Sequence, residues 1–407
     1  VATTNLLERA HVLASDGSEI QARISVDLAE QLIETGGLAR VEALLSRAER
    51  APHTAALAAL TRFEWMSIAR PREAMRMLDT ELPRLLARLS EDGDERALAR
   101  AHLVASDVYW VSCQAMLSAE QALLADEQAR RVGDGGLRSR ALWHYLGAVV
   151  GGPQPANVIQ ERVDVLAQDD LGPCVEATIA AVRGELARLG ARFEVSRRMI
   201  CDAIEHFRAL GLPIHAAACH MAIAKTERSA QNLAEALAWL READRLLAAM
   251  DERGLRSTTQ AMTARVCELL GDTAGARAAM ALTEDLGGPD DVINQVITHE
   301  VRARLALADG DAEAAEGWAR SAVKHADRTD FAADQAETRL ELARVLAARK
   351  RRQEACSQAG RALEIYRAKG DQPGAAEASA LLLQGLGRPG SGSGRGSRPP
   401  QPLPEPS

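Results

Sequence analysis

Aromatic side chains are scarce in this chain: Phe, Trp and Tyr make up 3% of its 407 residues, although hydrophobic residues make up 47%. The apolar content is therefore largely Ala and Leu, which favour helix most and strand least, and a β-rich fold is disfavoured. Cysteine is sparse too. Cys113, Cys174, Cys201, Cys219, Cys267 and Cys356 form no Cys-x-x-Cys pair and no dense framework of the kind used by small secreted domains. Reduced, mostly buried thiols are expected. No run of about 18 apolar residues is present that could span a bilayer, and no apolar segment of signal-peptide character opens the chain. A soluble, cytoplasmic protein is expected. Positive charge is in deficit, with a formal net charge of −8, so there is no general attraction to nucleic-acid phosphates or to an anionic membrane.

The familiar catalytic signatures are missing as well. There is no Gly-x-x-x-x-Gly-Lys-Ser/Thr phosphate loop, no His-Glu-x-x-His, no Gly-x-Ser-x-Gly and no EF-hand loop. The Gly-rich stretch 387–397 follows no strand and opens no helix. The chain is therefore expected not to be an enzyme, with no catalytic, cofactor-binding or metal-ligating residues and no cofactor. His215, Cys219 and His220 come nearest to a metal set, since the i, i+4 pair shares a helical face. Two adjacent ligands without convergent partners make a poor site, and a packed Cys beside a half-exposed His accounts for the same residues.

A repeat is present. Small residues recur in triplets along the second half: Ala224, Ala236 and Ala243; Ala264, Ala276 and Thr283; Ala303, Ala315 and Ala322; Ala343, Ala355 and Ala362. First members are 40, 39 and 40 residues apart, a regularity that unrelated helices joined by random loops would lack. One period earlier stand Gly184, Ser196 and Ala203, and near the start Ala29, Val41 and Ala48 are in the same phase. Between first and second members lie turns: Ser229-Ala-Gln-Asn232, Gly271-Asp272, Gly310-Asp311, Lys350-Arg351-Arg352, Gly190 and Gly36-Gly37. Less regular turns fall at Arg70-Pro71, Ser112-Cys113 and Gly151-Gly152-Pro153-Gln154-Pro155. A left-handed Gly closes one helix, and the following Asp caps the next. A second set of breaks joins the hairpins: Gly93-Asp94, Gly133-Asp134, Leu171-Gly172, Leu210-Gly211, Arg253-Gly254, Leu286-Gly287, Thr329-Asp330 and Gly370-Asp371. Small residues suit places where antiparallel helices cross closely. The expected fold is all-α, a tetratricopeptide-like α-solenoid of about nine antiparallel helical hairpins with a period near 40 residues. It occupies 1–386. Residues 387–407, rich in Gly, Ser and Pro, are expected to form a disordered tail.

The first ten residues read as the second helix of a hairpin whose first helix is missing. A solenoid normally starts with a polar cap, and none is evident, so the chain is expected to be the carboxy-terminal part of something longer. Other clusters have plain readings. Arg349-Lys350-Arg351-Arg352 is expected to be a solvated turn rather than an anion site. Trp65, Trp110, Trp143, Trp239 and Trp318 are expected in packing between helices, with a ligand-anchoring role as the lesser alternative. Asp169-Asp170 and Asp290-Asp291 sit at turns, where capping explains them better than acid–base chemistry.

Several stretches together resemble the carboxy-terminal tetratricopeptide-like arm of bacterial adenylate/guanylate cyclase- or activator-type AAA/STAND ATPase regulators. They are Asn5-Leu-Leu-Glu-Arg-Ala10, Gly287-Gly-Pro-Asp-Asp-Val-Ile-Asn-Gln-Val296, Thr329-Asp-Phe331, Leu340-Glu-Leu-Ala-Arg-Val-Leu346, Ala362-Leu-Glu-Ile-Tyr366 and Lys369-Gly370. The resemblance implies a sensor or autoinhibitory arm whose catalytic and nucleotide-binding residues lie upstream, so none is carried over onto this chain. Its partner would be an effector, another protein or peptide, or its own ATPase module, bound on the concave face of a shallow superhelix with a long groove. The alternatives are a freestanding scaffold that binds partners in trans and an α-helical enzyme with an unrecognised site. The sequence does not set the oligomeric state or name the groove residues.

Overall fold

The computed structural model describes residues 2–51, 53–91, 93–288 and 291–386, which form twenty α-helices and, among the described residues, no strand. Helix α1 (Ala2–Leu13) stands first and packs on the helix that follows it. Nine antiparallel hairpins follow. They pair α2 (Glu19–Glu34) with α3 (Val41–Ala48), α4 (Ala55–Ala69) with α5 (Pro71–Glu91), and α6 (Glu95–Val111) with α7 (Ala115–Arg131). Next come α8 (Gly135–Gly151) with α9 (Ala156–Leu166), α10 (Pro173–Leu189) with α11 (Phe193–Leu210), and α12 (Pro213–Ser229) with α13 (Leu233–Ala249). The last three are α14 (Gly254–Leu269) with α15 (Thr273–Leu286), α16 (Val292–Ala308) with α17 (Ala312–Ala326), and α18 (Ala332–Ala348) with α19 (Arg352–Lys369). Helix α20 (Gln372–Leu386) ends the described chain, so the tail proposed at 387–407 lies outside it.

Every member of the small-residue triplets is buried, from Ala29, Val41 and Ala48 to Ala343, Ala355 and Ala362. At these points the two helices of a hairpin touch backbone to backbone, and a larger side chain would force them apart. Gly184 shows how little room there is: a Cβ added to it would lie 2.5 Å from Cγ1 of Ile200 on the partner helix. The turns follow the expected chemistry at Gly271-Asp272 and Gly310-Asp311, where the glycines are left-handed (φ 76° and 83°). The aspartates accept hydrogen bonds from the amides of Gly275 (2.8 Å) and Ala314 (2.9 Å). Gly190 departs from expectation. Its φ is −85°, and the left-handed residue is the next one, Ala191 (φ 57°). Cys113, Gln231 and Lys350 take the same role in their hairpins, because the sharp reversal one residue past the helix requires that conformation whatever side chain stands there. At the Arg253-Gly254 connection the left-handed residue is Asp251.

The even-numbered helices pack on one another in succession from α2 to α20, whereas the odd-numbered ones pack chiefly on their own hairpin partner and on the next helix. An inner layer of even helices and an outer layer of odd ones result, which bends the stack into a superhelix. The bend is tight enough for successive turns to meet. The amide of Arg253 donates to the carbonyl of Ile68 (3.1 Å). Asp330, at the start of α18, caps α7 by accepting from the amides of Ala115 (2.6 Å) and Met116 (2.8 Å). Nearby, the rings of Trp110 and Phe331 meet at a tilt of 45° with centroids 4.9 Å apart. Lys369, at the end of α19, donates to the carbonyls of Val149 (3.1 Å) and Gly152 (2.6 Å) at the end of α8. Three seams thus join hairpins that are five or six repeats apart.

The close crossing can be tested at Gly184. Ala there gains about 1 kcal/mol of helix propensity over Gly but meets Ile200, and overpacking costs about 1–3 kcal/mol. Urea melts of Gly184→Ala should show net destabilisation, and the same change in an Ile200→Ala background should be neutral or stabilising.

Candidate functional site

The inner layer carries charge. Glu30 on α2, Glu64 on α4, and Arg100 on α6 are buried, with Arg100 only 1% exposed. Arg140 on α8 reaches all the way back to the first two hairpins. It donates to Glu30 (3.0 Å) and to Glu64, and its Nε lies 3.1 Å from Glu34. Arg100 lies 3.1 Å from Glu30 and donates to the hydroxyl of Thr61 (2.7 Å). Burial raises Glu34 above the usual carboxylate range, and Arg140 opposes that rise.

A second network occupies the other half. Arg228 on α12 forms a two-pronged pair with Glu337 on α18, three hairpins further along the chain. Glu337 also accepts from Arg265 on α14 (3.1 Å), and Arg265 binds Glu300 on α16. Alongside, Arg304 on α16 donates to Glu341 (2.8 Å) and Glu268 (3.2 Å), and Arg344 joins Glu341 at 3.0 Å. Burial works to raise Glu337, but Arg228 and Arg265 together hold it well below the usual range. In Glu300 burial prevails over the pull of Arg265 and its proton is held more tightly. Side chains from α12 and α18 therefore meet across the axis, and the concave side is bridged there instead of lying open as the long trough expected from a shallow superhelix. The tighter curvature is the reason.

The residues singled out in the sequence lie elsewhere. His215 packs between Trp143 and Phe207 (centroids 4.4 and 5.2 Å), and burial pushes its pKa down to about 3. Cys219 is buried, with its thiol pushed up to about 12 by burial. His220 sits against Trp239 and Arg208, its pKa lowered by burial to about 4. Among the described residues, no group of three His, Cys, Asp or Glu is placed to hold a metal. Two cations of the basic turn are paired: Arg349 and Arg351 meet Glu316 (2.8 and 2.5 Å), and Arg351 also meets Glu354 (2.5 Å). Trp65 is buried and donates to the carbonyl of Leu38 (3.0 Å), while Trp110 and Trp318 are each 36% exposed. Asp291 caps α16, accepting from the amide of Asn294 (3.1 Å). Asp290 lies outside the described residues. Asp169 and Asp170 do not cap α10, whose N-cap is Gly172, with no side-chain hydrogen bond.

The inward charges carry a signal in the sequence that the alanine triplets do not share. Arg228, Arg265, Glu300 and Glu337 follow one another at intervals of 37, 35 and 37 residues, close to but shorter than the period of the alanines. A row inclined to the hairpin stack has that spacing, because each step moves part of a turn towards the start of the helix.

No protein-family model and no curated protein matches the sequence. Solved structures do resemble the fold. A Rap protein complexed with competence and sporulation factor superposes with a TM-score of 0.59 at 14% identity, over 86% of this chain and 98% of that one. The APC/C hetero-tetramer Cut9-Hcn1 superposes with a TM-score of 0.58 at 12% identity, over 95% of this chain and 80% of that one. The fold is a tetratricopeptide-like α-solenoid. No described helix is long and apolar enough to cross a membrane.

Two tests probe the electrostatics. Removing one partner of a buried pair strands the other, at a cost of about 3–5 kcal/mol; Glu337→Ala leaves Arg228 without its carboxylate and Arg265 with Glu300 alone, and should cost that much in a denaturant melt. Glu354→Ala, on the surface, should cost under about 1 kcal/mol. Glu252, buried at the first seam, accepts from the amides of Leu255 and Arg256 (both 2.9 Å), and burial nevertheless raises it from 4.5 to about 7. The folded state then binds this proton more tightly than the unfolded chain, so its stabilising effect is full below pH 4.5 and is lost as pH rises through about 7. Comparing melts at low and neutral pH, wild type should lose stability relative to Glu252→Gln as pH rises.

Proposed function

We propose that this chain is a non-catalytic regulatory arm that takes a protein or peptide partner against the charged inner face of its superhelix. The observation that carries the reading is the row of fixed, inward-facing charges contributed by successive hairpins. A partner with alternating acidic and basic side chains can exchange pairs with Arg140, Arg228, Arg265, Glu300 and Glu337, so that ion pairs lost within the chain are regained with the ligand. Seams held by a few capping contacts let the turns separate to admit it, and separation alters the angle between hairpins over the whole arm. Binding and shape are then coupled.

The likeness to a Rap protein solved with a bound factor supports a binding role for such a fold, and the resemblance to the arms of cyclase- and activator-type ATPases supports a cytoplasmic, sensor or autoinhibitory task beside an upstream nucleotide-hydrolysing module. A freestanding scaffold acting in trans is the second reading, favoured by the extent to which the nine hairpins satisfy one another's faces.

Titration of the chain against the nucleotide-hydrolysing module encoded in frame with it should show salt-sensitive binding and a several-fold change in turnover, both weakened by reversing the charges of Arg228 and Glu337 together. Absence of binding and of any change in turnover would overturn the autoinhibitory reading, and binding to a separate protein instead would favour the scaffold.

A further inference from the structure

The third seam borders an open cavity of about 350 Å³ between the start of α9, the α10–α11 turn and the α19–α20 turn. Its charged lining is entirely basic: Arg192 from the first superhelical turn, and Arg367 and Lys369 from the second, with Asn157, Gln160 and Gln372 as neutral polar neighbours. The nearby carboxylates of Glu185 and Asp371 are both engaged by Arg188 (3.1 and 3.6 Å), and Asp164 takes Arg183 and Gln160. Arg192 and Arg367 are exposed, and neither pairs with a carboxylate among the described residues.

Three features make this a built site rather than two loose arginines. Lys369 is only 4% exposed and fixed by two carbonyls, so its ammonium is held in place with a third N–H to spare. Helix α9 begins at Pro155 with no side-chain cap, so its first amides are left without an intrahelical partner. Gly370, left-handed at φ 84°, faces Ala156 so closely that an added Cβ would stand 3.3 Å from that residue's methyl group.

We propose that this seam cavity binds the phosphate group of a small anionic ligand, with Arg192 and Arg367 as the paired guanidiniums, Lys369 as the fixed cation and the α9 amides as further donors. Guanidinium forks match the geometry of phosphate oxygens. The volume leaves room for the moiety that carries the phosphate. Because Arg192 and the α9 amides belong to one turn of the superhelix and Arg367 and Lys369 to the next, the ligand clamps the seam, and its occupancy favours the closed superhelix.

The test uses the full chain with inorganic phosphate and pyrophosphate as probes, and chloride at equal ionic strength as the control. Calorimetry should show saturable binding of one phosphate per chain, and the melting temperature should rise with phosphate but not with chloride. Arg192→Gln/Arg367→Gln should weaken binding at least tenfold while leaving the circular dichroism unchanged, since both side chains are exposed. Lys369→Met should weaken binding too, with hydrogen exchange at the start of α9 no longer slowed by phosphate. No saturable binding, or binding that the double variant leaves intact, would refute the proposal. Neither outcome touches the inner face, so a failure here is separable from a failure of the partner-binding role.

Discussion

A methyl group is what fits where the two helices of each hairpin cross, and much else follows from that contact. With Ala, Gly or Ser at both sides of the turn in the five hairpins from α10 to α19, the helices approach closely enough to pair as rigid units, and the outer layer of odd-numbered helices can spread while the inner layer narrows. Curvature accumulates with each repeat. Five or six hairpins further on, the chain has come round to its own earlier turns, so that Asp330 caps α7 and Lys369 caps the end of α8. A larger residue at the crossings would flatten the spiral and part the seams.

Closure explains the charge inside. An open spiral can leave polar side chains on its concave face in water, but one whose turns touch removes them from solvent, and an isolated buried charge is costly. Arg100, Arg265, Glu300 and Glu341 are all nearly inaccessible, and each has an oppositely charged partner within the layer. The pairs do not make the fold especially stable, since desolvation offsets much of their attraction. Their effect is on register: Glu337 reaches both Arg228 and Arg265 only when four successive hairpins are correctly stacked. The inner face is therefore selective about its own geometry, and this is the property that a shape-reporting arm requires.

The repeat was legible in the sequence because the small residues recur in phase, and phase survives variation in the rest of each hairpin. Turn chemistry was legible where Gly precedes Asp. It was not legible at Ala191, Gln231 and Lys350, which adopt the left-handed conformation because the turn demands it and whose side chains give no sign of it. The seams were invisible for a different reason. They join residues about two hundred positions apart, at places set by the cumulative bend of several hairpins, and no local pattern encodes a sum of small angles. The inner charges lie between these cases: Arg228, Arg265, Glu300 and Glu337 are periodic, but their interval of 35 to 37 residues is masked by the stronger rhythm of the alanines.

Lys369 shows how the two levels meet. Read along the sequence it is the last residue of a helix beside a glycine, an ordinary place for a cation that complements the helix dipole. In the fold it completes the end of a different helix, α8, by donating to two of its unpaired carbonyls, and burial pushes its pKa down to about 8. A lysine so placed is a structural strut beside a cavity lined by two further cations. The capping bonds work for the seam. An anion shared by Arg192 on one turn and Arg367 on the next adds a second tie, and the closed turn of the superhelix is then held by the ligand as well as by the chain.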